Sequence, residues 1–463
     1  MGENTPREKR YSLSDYDIGE NGSSYDEMVA SVMNDLGNIM GLDSSDANKR
    51  ASFINTLREI QKISVKRYTF QSKMGSAGAC ALIFLLTKDF LSDPEVTTSI
   101  LKTIDVLITN ENNNKCIFAE SGAIKYFAEV AKRYAEDTSV LKTCFKAILN
   151  MTNSKVRASI QGGLTPKKLQ ASSSMSGNYI DTKLLIGNEG ICELAMSILK
   201  FCNDQVQSSK DLVTYKETIM AINNVVASLA ACTENLIKFG KTDVVNILLT
   251  TMELYKDEHL EAQNLDMWIS WLWAVINVCV DPRYLDKKKF GLYACQFIYA
   301  ELKLFSENLD GNIASYPDPS KYIEYKLWAL HNILSKCDEN LAEVIRVISD
   351  RKTLVQQFVD APNLSTNARA KGSSLLALIR DGEKRGVLHV YGKFQDGEEE
   401  HGEEEKGYAE TEAETEKRSR GGPVVVKGGK IIDDGTGTDT GLVDFFVTEQ
   451  EQEEEEDNHP IEI

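Results

Sequence analysis

Two segments share a spacing of tryptophan and asparagine that could bind an extended peptide. Trp273-Ala-Val-Ile-Asn277 and Trp328-Ala-Leu-His-Asn332 both read Trp-x-x-x-Asn. On a helix, residues four apart lie on one face, so the indole and the amide would project side by side. An indole face attracts cations and apolar stems, and a side-chain amide can pair with a peptide backbone. The alternative is that Trp273 and Trp328 are ordinary core residues.

Asparagine ends other apolar helical segments in the same way. The set comprises Asn110 in VLITN, Asn150 in AILN, Asn224 in AINN, Asn277 in AVIN and Asn332 in ALHN. In the first three segments the tryptophan is replaced by Val106, Lys146 and Met220. We predict that the five amides form a row on one surface and bind a partner segment. The alternative is that each asparagine caps or stabilises its own helix end.

Residues typical of catalysis do not form a recognisable motif. The histidines are scattered: His259, His331, His389, His401 and His459. The sequence has no HExxH, no zinc-binding Cys/His spacing, no P-loop and no GxSxG. We therefore expect no enzymatic activity, no cofactor and no metal.

A repeated pattern of helices must position the asparagines. Glycines that precede apolar helical starts recur at intervals of 44, 68, 50 and 51 residues: Gly78, Gly122, Gly190, Gly240 and Gly291. The long interval contains a segment rich in Ser, Gly and Lys, which predicts an inserted flexible loop at about 156–183. Asp93-Pro94 and Asp318-Pro319 are typical helix starts. Helices this apolar must stack on neighbouring repeats.

The segments ESGAIKYFAEV and EDTSVLKTCFKAILNMT resemble the armadillo repeat, as do DPEVTTSILKTIDVLITN and YIEYKLWALHNILS. The resemblance covers residues 50–380. It implies an all-α, right-handed α-solenoid of armadillo or HEAT-like repeats, in which the third helix of each repeat lines a concave groove. The two Trp-x-x-x-Asn segments are similar to the groove of importin-alpha, where tryptophans flank lysine stems. That likeness implies a local pocket for an extended, basic peptide.

Composition divides the chain into three parts. We predict a disordered arm at 1–25, the solenoid at 26–381 and an acidic low-complexity tail at 382–463. Residues 381–463 contain 25 acidic and 9 basic side chains, a net of −16 out of −18 for the chain. The nearly neutral body gives no reason to expect nucleic-acid binding. No window approaches the roughly 18 apolar residues of a membrane span.

The cysteines and the terminal segments add further expectations. Nine cysteines without a CxxC pair indicate reduced thiols and a cytoplasmic or nuclear protein. Ser12 follows Lys9-Arg10 and is a candidate phosphorylation site. The tail could be a solvating appendage, could recruit a basic client, or could block the groove with its own basic segment at 417–430.

These features together predict a non-enzymatic scaffold or adaptor that binds an extended partner segment along the groove. One alternative is a carrier or dedicated chaperone of a basic client, which would use the tryptophans and the acidic tail. Another is an adaptor for a small GTPase or a cytoskeletal assembly.

Overall fold

The computed structural model describes residues 25–43, 46–65, 68–152, 154–157, 179–256, 265–281, 283, 285–307, 309, 311 and 318–391. All described residues belong to one compact unit of the chain. Ser12, most of the predicted loop, and the predicted tail from residue 392 onward lie outside the described residues.

The described part of the chain is almost entirely helical. The helices before the predicted loop are α1 (Tyr25–Met40), α2 (Ala47–Ser64), α3 (Tyr68–Ser76), α4 (Ala79–Phe90), α5 (Pro94–Ile108), α6 (Asn112–Ser121), α7 (Ala123–Arg133) and α8 (Thr138–Met151). Those after it are α9 (Thr182–Asn188), α10 (Ile191–Ser209), α11 (Leu212–Ala230), α12 (Thr233–Gly240), α13 (Val244–Tyr255), α14 (Leu265–Val278), α15 (Gly291–Glu307), α16 (Pro319–Leu334), α17 (Asp338–Val347), α18 (Arg351–Asp360), α19 (Thr366–Lys384) and α20 (Val387–Tyr391). A 3-10 turn, Lys287–Lys289, precedes α15. The all-α prediction is therefore confirmed.

Three-helix groups recur along the described chain. Each consists of a short first helix, a second helix and a long third helix, as in α3–α5, α6–α8, α9–α11, α12–α14 and α17–α19. Gly122 joins the first and second helices of its group with a φ of 101°, a left-handed backbone conformation that favours glycine. Gly240 is the last residue of α12 and lies shortly before the apolar α13, which begins at Val244.

Sequence signals at the helix starts are confirmed by the hydrogen bonds. The Asp93 carboxylate accepts from the backbone amides of Glu95 and Val96 at 3.1 Å each, and Pro94 is the first residue of α5. Asp318 caps α16 by accepting from the amide of Lys321 at 3.0 Å. The C-terminal boundary differs from the prediction, because α19 continues through Asp381 and α20 reaches Tyr391.

The long helices pack against one another in chain order. α2 contacts α5, α5 contacts α8, α8 contacts α11, α11 contacts α14, α14 contacts α16, and α16 contacts α19. Side chains such as Ile104, Ile148, Ile222, Val275 and Leu330 are fully buried along this series. The core is therefore a continuous strip between successive helices, which neighbouring groups bury for each other.

A short hairpin closes the base of the predicted loop. Strand β1 (Lys155–Arg157) pairs antiparallel with β2 (Tyr179–Asp181), with Val156 opposite Ile180. Immediately after β2, the buried Thr182 hydroxyl lies 2.8 Å from the Met151 carbonyl and 3.0 Å from the Thr152 carbonyl, at the end of α8. These contacts hold the start of α9 against the end of α8.

A buried ion pair joins α15 and α16. Lys326 Nζ lies 3.3 Å from Glu301 Oε2, and the two residues are 1% and 4% exposed. The Tyr322 hydroxyl donates to the same oxygen at 3.4 Å, and Lys326 Nζ lies 4.1 Å from the centre of the Tyr322 ring. Burial lowers the pKa of Lys326 to about 8, although the charge of Glu301 opposes this shift.

Candidate peptide-binding face

Three of the predicted asparagines tie successive long helices together. Asn150 Nδ2 donates to the Asp105 carboxylate at 2.6 Å, Asn277 Nδ2 to the Ala227 carbonyl at 3.0 Å, and Asn332 Nδ2 to the Ile276 carbonyl at 2.9 Å. Asn277 is 2% exposed and Asn332 is 8% exposed. Their amide groups therefore point into the helix interface, where they satisfy backbone carbonyls of the preceding group.

These hydrogen bonds define the register of the long helices. The acceptors Asp105, Ala227 and Ile276 immediately precede Val106, Ser228 and Asn277 in sequence. We call the resulting set the ladder positions: Val106, Asn150, Ser228, Asn277 and Asn332. Between α8 and α11 the Ser228 hydroxyl donates instead to the hydroxyl of Thr152, the C-cap residue of α8, at 2.7 Å, so Ser228 is placed in this set by its alignment with Asn277.

Two predicted asparagines lie off the ladder positions. Asn110 is exposed beyond the end of α5, with a φ of 56°, so it matches the local helix-end role that was the alternative prediction. Asn224 is half-buried one turn before Ser228. The repeat pattern in the sequence placed Asn224 in line with Asn277, because both residues end an apolar stretch. In the structure α11 continues six residues beyond Asn224, to Ala230.

The side chains one turn before the ladder positions form a surface that we call the long-helix face: Lys102, Lys146, Asn224, Trp273 and Trp328. Lys102 and Lys146 are exposed, Asn224 and Trp273 are half-buried, and Trp328 is 8% exposed. Both predicted tryptophans therefore lie on this face, at equivalent places on α14 and α16. Exposed and half-buried side chains in register on adjacent helices, here Lys102, Lys146, Asn224 and Trp273, are suited to contact an extended segment.

The Trp328 ring is already covered by a lysine of the same chain. Lys371 Nζ, on α19, lies 3.6 Å from the ring centre, and Tyr325 packs edge-on with centroids 6.5 Å apart. Burial lowers the pKa of Lys371, whereas the charge of the buried Glu324 raises it. The cation that the sequence led us to expect from a partner is thus supplied internally at Trp328.

Replacing Lys371 with alanine is expected to expose the Trp328 indole. Removing the stem and charge that cover the ring should increase collisional quenching of tryptophan fluorescence by acrylamide, a neutral quencher. The same substitution in a Trp328→Phe background should leave quenching unchanged, and Lys132→Ala, on α7, is the matched control. Equal quenching before and after Lys371→Ala would contradict the contact.

His331 lies next to Asn332 near the end of α16. It is half-buried on α16, and its Nδ1 lies 3.3 Å from Asn332 Oδ1. Burial lowers the pKa of His331 below its usual value, and the nearby Lys371 and Lys287 lower it further. The ring is therefore neutral near pH 7, beside an amide that itself binds a backbone carbonyl.

Burial favours the protonated form of most of the thiols. Burial raises the pKa of Cys80, Cys192 and Cys279 to about 12 and moves those of Cys144 and Cys295 higher still. A protonated, buried thiol is a poor nucleophile and a poor metal ligand. Among the described residues, no group of three or more His, Cys, Asp or Glu side chains could hold a metal ion.

The structure contains a second set of structural asparagines that sequence reasoning missed. Asn114, Asn235 and Asn340 are each the third residue of a group's first helix, and all are buried. Their amides donate at 2.9 Å to the carbonyls of Gln71, Lys183 and Lys287 in the preceding group. The matching segments Cys232-Thr-Glu-Asn-Leu and Cys337-Asp-Glu-Asn-Leu were the available signal.

Two of these asparagines rest directly on a glycine. A Cβ atom placed on Gly75 would lie 1.7 Å from Asn114 Oδ1, and one on Gly187 would lie 1.8 Å from Asn235 Oδ1. Each glycine is four residues after the residue whose carbonyl accepts from the asparagine. The glycine and the asparagine thus form a matched pair that sets how closely consecutive first helices approach.

Comparisons with known proteins give no family. No protein-family model matches the sequence, and no curated protein matches it. Solved structures with some likeness include three engineered proteins from a structural genomics consortium. The first is 13% identical, with 78% of this chain and 82% of that chain covered and a TM-score of 0.46. The second is 11% identical, with 76% and 97% covered and a TM-score of 0.37. The third is 12% identical, with 75% and 97% covered and a TM-score of 0.33.

The described helices are short or polar compared with membrane-spanning helices. None of them combines the length and the apolar character that crossing a bilayer would need.

Proposed function

We propose that this chain is a non-enzymatic scaffold or adaptor that holds an extended segment of a partner protein along the long-helix face. The observation that supports it is the common register of that face: Lys102, Lys146, Asn224, Trp273 and Trp328 stand one turn before the ladder positions of five consecutively packed helices. A segment that crosses the helices would meet one of these side chains at each of the first four helices, and Lys371 over the Trp328 ring at the fifth.

The proposal includes an armadillo-like α-solenoid with a right-handed superhelix. The recurring three-helix groups and the chain-order packing of the long helices support it. The ladder contacts and the buried asparagines of the first helices add hydrogen bonds between neighbouring groups, as repeat proteins require for stability.

The non-enzymatic part of the proposal is supported by the chemistry of the reactive side chains. Burial raises the pKa of most of the thiols, and His331 Nδ1 is engaged by Asn332 Oδ1 at 3.3 Å. The cysteines are all free thiols, which is typical of a reducing compartment, so we propose that the scaffold acts in the cytoplasm or nucleus.

A carrier or chaperone of a basic client is the alternative. It relies on Trp273, whose indole is half-buried on the long-helix face and could accept a lysine stem. Trp328 supports it less, because Lys371 already covers its ring.

Photocrosslinking from a residue beside the long-helix face tests the proposed function. A photoreactive residue in place of Met220, half-buried one turn before Asn224, is expected to capture a partner in cell extract. The same residue in place of Leu85, exposed on α4, is the control and should not capture it. Trp273→Ala should reduce the Met220 product several-fold, because an aromatic anchor contributes about 2 kcal/mol or more to such contacts. Equal products from the two positions would contradict a dedicated face.

A further inference from the structure

The charges of the long-helix face point to the chemistry of the partner. Its first two members are lysines, Lys102 on α5 and Lys146 on α8, and both are exposed. Neither of them forms an ion pair with a carboxylate in the part of the chain that the structure describes. At the far end, Lys371 lies over Trp328. On four of the five long helices the face residue is thus a lysine or a tryptophan, and none of the five face residues is a carboxylate.

The acidic side chains near this face are already engaged. Asp105 accepts from Asn150 at 2.6 Å within the helix interface, and burial raises its pKa against the effects of that hydrogen bond and of Lys146. Glu324 is 9% exposed and interacts with Lys371. Glu217 forms an ion pair with Lys142. The lysine ammonium groups therefore face solvent, whereas these carboxylates are turned inward or paired.

We infer that the long-helix face binds an acidic extended segment of a second protein, whose carboxylates pair with Lys102 and Lys146 and whose apolar residue packs on Trp273. This inference rests on the proposed function and names its partner class. A basic segment would find no unpaired carboxylate at this register and would be repelled by Lys102, Lys146 and Lys371. Complementary charge of this kind contributes mainly to the rate of association and to the choice of partner.

The length of the segment follows from the helix spacing. Five helices packed about 10 Å apart span roughly 40 Å. An extended chain advances about 3.3 Å per residue, so about 12 residues would reach from Lys102 to Trp328. An extended partner segment would also leave its backbone amides and carbonyls available to bind the side-chain amide of Asn224, which is half-buried.

Three labelled peptides of this length test the inference with the full-length protein. Each carries one tryptophan and one leucine at fixed places, and the remaining positions are all glutamate, all glutamine or all lysine. Fluorescence anisotropy is expected to rank affinity as glutamate above glutamine above lysine. The glutamate peptide should lose affinity about tenfold in Lys102→Glu/Lys146→Glu, and raised salt should weaken it in the wild type. Lys132→Glu/Lys200→Glu, on α7 and α10, is the matched control and should leave affinity unchanged.

The outcomes separate this inference from the proposed function. Tighter binding of the lysine peptide, or no loss in Lys102→Glu/Lys146→Glu, overturns the acidic partner. If Trp273→Ala still weakens all three peptides in that case, the face binds segments by apolar contact and the proposed function stands. If no peptide binds and Met220 gives no specific photocrosslink, both fail.

Discussion

Replacing Lys326 with methionine is expected to destabilise the protein by about 4 kcal/mol. The substitution removes the cation 3.3 Å from Glu301 and leaves a carboxylate that is 4% exposed between α15 and α16. Desolvation of an unpaired charge is the dominant cost, since methionine fills nearly the same space as the lysine stem. Urea unfolding followed by circular dichroism measures the change.

The control for this prediction removes both charges. Glu301→Leu/Lys326→Met replaces the pair with apolar side chains and is expected to recover most of the loss, because neither buried charge remains. A double variant as unstable as Lys326→Met would show that packing, and not the stranded carboxylate, causes the loss.

The Lys326–Glu301 pair also makes the free energy of unfolding depend on pH. Burial lowers the pKa of Lys326 to about 8 in the folded protein, against 10.5 for an ordinary lysine. Between these values the unfolded chain binds more protons, so the free energy of unfolding rises with pH over this interval. Relative to the Glu301→Leu/Lys326→Met variant, the wild type should therefore gain stability from pH 8 to pH 10.5.

The second large effect is expected at Gly187. Gly187→Ala places a Cβ 1.8 Å from Asn235 Oδ1, so the buried amide must move away from the Lys183 carbonyl, to which it donates at 2.9 Å. Overpacking costs about 1–3 kcal/mol and the lost hydrogen bond about 1 kcal/mol, which together predict a loss of about 3 kcal/mol. Thermal and urea unfolding measure it.

A double-mutant cycle makes the Gly187 prediction specific. In an Asn235→Ala background the added methyl has room, so Gly187→Ala should cost much less than it does in the wild type. Gly37→Ala, in α1, has no atom within 4 Å of its Cβ position and is the matched control. If Gly187→Ala costs the same in both backgrounds, Asn235 is not the residue that it displaces.

Local signals in the sequence predicted the elements well. Asp93-Pro94 and Asp318-Pro319 start α5 and α16 because a carboxylate cap and a proline at the first helical position depend only on neighbouring residues. The all-α class follows from the same local periodicity. The end of the solenoid was predicted at residue 381, but α19 and α20 continue to Tyr391, because helix ends depend on packing that the sequence pattern does not contain.

The candidate face was harder to predict because register is a tertiary property. Asn224 and Asn277 look equivalent in sequence, yet the hydrogen bonds align Ser228 with Asn277. Which way an amide points is likewise decided by the neighbouring helix, so the inward orientation of Asn277 and Asn332 could not be predicted from spacing. The position of Lys371 over Trp328 joins residues on different helices and has no signal in either segment.

Because of the hairpin at the base of the predicted loop, the packing of the helices does not depend on the length of the loop. β1 and β2 pair directly, with Arg157 opposite Tyr179. These two residues therefore lie about one strand spacing apart, whatever the number of residues between them, which is 21 here (158–178). Thr182 fixes α9 to α8 independently of that segment. Doubling the length of a loop costs only about 0.6 kcal/mol of closure entropy. This site can therefore accept a reporter domain or evolutionary insertions, while α8 and α11 keep their contact.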